Sequence, residues 1–144
     1  MFDALVALQN KQPKKLLEII EKDDKKFSAT PELYLIKTYL KMRAYLLLGK
    51  REKINEMYAD VINIKNMKKR PKVFQYDEFE GIKYSVAKEY KKAYEAYSNV
   101  NMKLMNYRER QFILEQLILT APESEKEKYK DKYSVLMGLV NESK

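Results

Sequence analysis

Gly81-Ile82-Lys83-Tyr84, followed five residues later by Tyr90-Lys91-Lys92-Ala93-Tyr94-Glu95-Ala96-Tyr97-Ser98-Asn99-Val100, is the stretch on which the fold turns. Residues four apart on a helix share a face, so Ala93 and Tyr97 point the same way. A small residue lets two helices approach closely, and an aromatic ring on that face fills the groove that remains. The stretch therefore predicts two helices that pack on each other.

The pattern recurs upstream at an offset of 39, where Tyr45 matches Tyr84, Ile54 matches Ala93, Tyr58 matches Tyr97 and Val61 matches Val100. Each hairpin would expose an apolar face that only a neighbouring hairpin can cover, so such units stack. Gly81-x-x-Tyr84 with Ala93, Tyr97 and Val100 resembles a tetratricopeptide repeat, and Tyr45, Gly49, Ile54, Tyr58 and Val61 form its earlier copy. The departures are Asp77 at the family's usual Trp site, Glu80 at its usual Leu, and no Pro closing either unit. The period is also longer than the family's 34 or so. The resemblance covers about half the chain. It implies an all-α fold, an antiparallel helix-hairpin array or α-solenoid of about eight helices.

Outward from this stretch, prolines and capping residues punctuate the chain. Thr30-Pro31-Glu32 and Thr120-Ala121-Pro122-Glu123 each offer a hydroxyl, a proline and an early acid, as helix starts prefer. The segment from Pro31 to Leu48 is apolar nearly all round, which predicts a central helix, and Gly49-Lys50 ends it. A second helix is expected to about Ile64, then a helix from Val73 to about Ala87 with Phe74 inward, and another from Glu89 to Val100. The end pairs are expected within 2–22 and 106–140, the latter as Tyr107 to Leu119 and Pro122 to Val140. Asp23-Asp24-Lys25-Lys26 reads as a loop. A single domain over 1–144 follows, with pairs near 2–22, 31–64, 71–101 and 106–140. The first helix looks truncated, which suits a fragment of a longer protein.

With 144 residues the chain can bury a core without staples. It has no Cys and no His, which removes disulfides, thiol catalysis, His-based triads and Cys/His zinc sites. The three glycines are isolated, so no phosphate loop is present. Asp77, Glu78 and Glu80 are the densest acids of the second half, but successive helical residues diverge by about 100°, and a solvated helix start is expected. No enzyme, cofactor or metal site is expected. The absence of a long apolar run or a basic leader points to a cytoplasmic setting, or to the cytosolic part of a membrane-anchored chain.

The expected function is therefore protein–protein interaction, the binding of a partner's peptide or helix in a groove. The resemblance assigns groove positions to the first helix of each pair: Ile36, Tyr39, Arg43 and Leu46, then Gln75, Glu78, Ile82 and Ser85. Tyr, Arg and aliphatic side chains suit peptide recognition. The Lys and Asn clamp by which some family members hold a terminal carboxylate is not reproduced. The alternative starts from the net charge of +8. Residues 1–72 carry 17 Lys and Arg against 9 Asp and Glu, whereas residues 73–144 carry 12 of each. The connector Lys65, Lys68, Lys69, Arg70 and Lys72 could meet nucleic acid or an anionic lipid surface. A third expectation is a structural segment of a larger membrane or regulatory protein that forms homo-oligomers through the apolar ends of the array.

Overall fold

The computed structural model describes residues 2–71 and 75–142. Over these residues the chain is all-helical, with no strand. Nine α-helices follow in order: α1 Phe2–Gln9, α2 Pro13–Lys22, α3 Asp24–Phe27, α4 Pro31–Leu48, α5 Arg51–Lys65, α6 Tyr76–Val86, α7 Tyr90–Ser98, α8 Tyr107–Thr120 and α9 Glu123–Glu142. A single 3₁₀ turn, Met102–Leu104, precedes α8.

Local chemistry sets the ends of α4. Thr30 Oγ1 accepts from the Leu33 N–H at 3.1 Å, and Pro31 occupies the first turn. Gly49 adopts φ 67°, a left-handed value that glycine takes without strain, and its N–H and that of Lys50 close onto Leu46 and Tyr45. At α8, Asn106 Oδ1 accepts from the Glu109 N–H at 2.9 Å. Arg110 Nε donates to the carbonyls of Met102 and Met105, tying the 3₁₀ turn to α8.

Three boundaries differ from the sequence reading. The expected loop at Asp23–Lys26 contains a one-turn helix, which buries Phe27 beneath it. Helix α6 starts at Tyr76, and the expected contributions of Lys72, Val73 and Phe74 lie outside the described residues. Helix α7 is shorter at both ends than expected. Gln75 exchanges two hydrogen bonds with the Asn101 backbone at 2.6 and 3.0 Å, which fixes the chain beyond α7 as a connector.

Helices neighbouring in sequence pack on each other along the chain, and α4 also touches α1, α2 and α6. Two apolar cores result. The smaller joins Ala4, Ala7 and Leu8 of α1 with Leu16, Ile20 and Phe27, and with Leu40 and Ala44 of α4. The larger runs from Leu35 and Met42 of α4 through Ile54, Val61, Phe79, Ile82, Ala93 and Tyr97 to Leu117 and Leu136. Helix α4 feeds both cores from different faces, which is why its sequence lacks a polar side. A tight helix approach falls at Gly81 of α6, against the ring of Tyr97 from α7. A Cβ on Gly81 would stand 2.5 Å from the Tyr97 ring.

Candidate functional site

Two cavities lie side by side on one face of the molecule. The first, of about 470 Å³, is lined by Leu5 and Leu8 of α1, Ile36, Tyr39 and Arg43 of α4, Glu78 and Phe79 of α6, Leu104, and Arg108 and Glu109 of α8. The second, of about 340 Å³, is lined by Arg43, Leu46 and Leu47 of α4, Ser85 of α6, and Arg108, Phe112, Glu115 and Leu119 of α8. They share Leu8, Gln9, Arg43 and Arg108. Every α-helical residue in either wall comes from α1, α4, α6 or α8.

The floor of the first cavity is a chain of polar contacts. The Tyr39 hydroxyl donates to Glu78 Oε1 in a short hydrogen bond, and Arg43 donates to the Tyr39 oxygen at 3.2 Å. The Arg43 guanidinium lies over the Phe112 ring, 3.6 Å from its centre, which holds it flat. Tyr39 meets Phe79 edge-on with centroids 5.8 Å apart. Glu78 is only 9 % exposed. Burial pushes its carboxyl up to about 7, against the pull of the Tyr39 hydrogen bond and Arg43 and with a push from Glu109. Burial and the Glu78 charge hold the Tyr39 hydroxyl well above its usual range, although Arg43 draws it down. Burial also raises Glu109, again opposed by Arg43.

Glu78 is thus not part of a solvated helix start, as its acidic neighbours suggested. Asp77 and Glu80 are half-buried beside it, but α4 and α8 close over Glu78 alone. No group of three acids that could hold a metal occurs among the described residues.

The groove positions assigned from sequence separate into two sets. Ile36, Tyr39, Arg43, Gln75 and Glu78 line the first cavity, and Arg43, Leu46 and Ser85 line the second. Ser85 is buried and gives its proton to Gln116 Oε1 at 3.0 Å. Ile82 reaches neither cavity. It is fully buried in the larger core, although Glu78 four residues before it and Ser85 three after it line the cavities. The sequence reading missed the walls that face α4 and α6, namely Leu5, Leu104, Arg108, Glu109 and Leu119. Exposed leucines in α1 and α8 were the available signal, but nothing local ties them to α4.

In the basic connector, Lys68, Lys69 and Arg70 are exposed and Lys65 is half-buried. Arg70 folds back, donating to the Lys65 carbonyl at 3.3 Å and lying 5.6 Å from the Tyr76 ring centre. None of the four lines the two cavities. Among the described residues no helix is long and apolar enough to cross a membrane. No protein-family model, curated protein or solved structure gives a match to this chain.

Proposed function

We propose that this chain is a protein-interaction module, a tetratricopeptide-like stack of helical hairpins that holds a peptide or helix of a partner in the double cavity. One observation carries the reading. The walls come from α1, α4, α6 and α8, which are the first helices of the four pairs expected from the sequence. In a stacked array the first helices share one surface, so a common groove is the natural consequence. The Tyr39–Glu78 hydrogen bond adds support, since it joins positions 39 residues apart, one period of the sequence repeat.

The rim of the groove is oily. Leu5 is 50 %, Leu104 75 %, Leu47 46 % and Leu119 50 % exposed, and all four stand at the cavities. Clustered exposed leucines mark interaction surfaces, whereas scattered ones do not. Binding here without catalysis also suits a chain lacking His and Cys. Selection of a randomised peptide library on the intact protein tests the reading. Peptides should be retained by the wild type and lost from Leu104→Asp and Leu119→Asp, both exposed positions where the fold tolerates charge. Equal retention by the variants would overturn it.

The exposed run of Lys68, Lys69 and Arg70 favours a second reading, contact with nucleic acid or an anionic surface. Retention on DNA that falls with salt and is lost when these three become Gln supports it. No retention at low salt removes it.

A further inference from the structure

Where the two cavities meet, the wall is cationic. Arg43 of α4 and Arg108 of α8 line both of them, with apolar side chains on either hand: Leu5, Ile36 and Leu104 in the first cavity, Leu46, Leu47 and Leu119 in the second. We propose that the occupant is a peptide segment carrying an acidic side chain between two apolar ones. Its carboxylate meets Arg43 and Arg108, and its apolar side chains enter the cavities to each side. This rests on the groove reading above and adds the chemical class of the partner.

Charge complementarity selects the acid. Neither arginine has an ion-pair partner within 4.0 Å among the described residues. Arg43 spends one nitrogen on Tyr39, is stacked on Phe112, and is held ready for a planar anion. Arg108 is exposed. The other charged groups facing the junction are accounted for. Lys11 and Glu115 face each other at 4.0 Å across the second cavity. Glu78 is engaged by Tyr39, and Glu109 stands at the rim of the first cavity. Burial raises the Glu78 carboxyl to about 7, so an arriving carboxylate draws a proton onto it instead of meeting a fixed anion, and burial raises Glu109 in the same direction. Binding of an acidic segment should therefore strengthen as pH falls from about 8 to 6, whereas binding of a basic segment should weaken.

The test is a randomised peptide library selected on the intact wild-type chain and on Arg108→Glu, followed by titration of the best peptide by fluorescence anisotropy. Peptides recovered on the wild type should place Asp or Glu between apolar residues. Replacing that acid by Gln should weaken binding about tenfold. Arg108→Glu should recover Lys or Arg at the same place, and the wild-type peptide should bind more tightly at pH 6 than at pH 8. Peptides that depend on Leu104 and Leu119 but show no acidic preference would overturn the acidic partner and leave the groove standing. Recovery of no peptide that depends on those leucines would overturn both.

Discussion

Tyr58 of α5 and Tyr97 of α7 lie 39 residues apart, the offset at which the sequence matches itself, and they end in different surroundings. Tyr97 is fully buried, its ring pressed over Gly81. Tyr58 is half-buried between α5 and α6, with Lys83 Nζ 4.6 Å from its ring centre. The first helices differ as well. Met42 lies 39 residues before Gly81 in the sequence, and Met42 is itself fully buried. A methionine side chain takes up space that a glycine leaves open. The second helices compensate in the opposite sense, with Ile54 in one hairpin and Ala93 in the other, both fully buried. Comparable interiors are built from different parts.

The buried ring carries a cost. The Tyr97 hydroxyl is sealed from solvent with no hydrogen-bond partner, while neighbouring Ser85 donates to Gln116. Burial holds that phenol far above its usual range. The Tyr58 hydroxyl keeps access to water, and burial with the nearby Glu80 raises it to about 12.

The widest separation between the hairpins is expected on truncation. Tyr97→Ala should cost about 4 kcal/mol and Tyr58→Ala about 1 kcal/mol, read from urea unfolding midpoints. Equal losses would break the comparison. The next effect belongs to the groove between the hairpins. The Glu78 carboxyl moves from 4.5 to about 7 on folding, so the folded state holds its proton to higher pH than the unfolded chain. Stability from this group is then full below about 4.5 and falls as pH rises toward 7, by about 3 kcal/mol in all. Glu78→Gln should flatten that decline in a series of thermal melts. An unchanged slope would mean that Glu78 ionises freely.

Gly81→Ala sharpens the contrast further. Its methyl must displace a rigid ring, and the expected loss is about 2 kcal/mol. Pairing it with Tyr97→Leu should recover part of the loss, and strict additivity would show that the two sites do not touch. The smallest effect is Tyr97→Phe. Removing an unpaired buried hydroxyl should raise stability by about 1 kcal/mol, whereas Tyr58→Phe should change it by less than about 0.5 kcal/mol. A loss at Tyr97→Phe would reveal a hydrogen bond at that oxygen.

Much of the helical layout was legible in particular residues. Thr30, Pro31 and Gly49 bracket α4 because capping is a contact between near neighbours in the chain. Its all-round apolar character marked it as central, and it feeds both cores. The groove was half legible. Tyr39, Arg43, Leu46 and Glu78 line the cavities, at positions the resemblance assigned, yet the same resemblance assigned Ile82, which the core takes instead. Ile82 shares a face with Glu78, and how deeply each is covered depends on which neighbouring helix lies over it, not on the spacing along α6. The one-turn α3 was missed because three charged residues and one Phe carry no periodic signal.

By itself the sequence determined the helical class, the helix starts at Thr30 and near Tyr107, and the stop at Gly49. All of these depend on residues a few places apart, whose relation the backbone dictates. Only the tertiary structure decided that Glu78 is buried, that Tyr39 reaches it, and that Arg43 and Arg108 stand together where two cavities join. Those facts depend on α1, α4, α6 and α8 meeting across tens of residues, and burial is a property of the whole packing, which no local pattern carries.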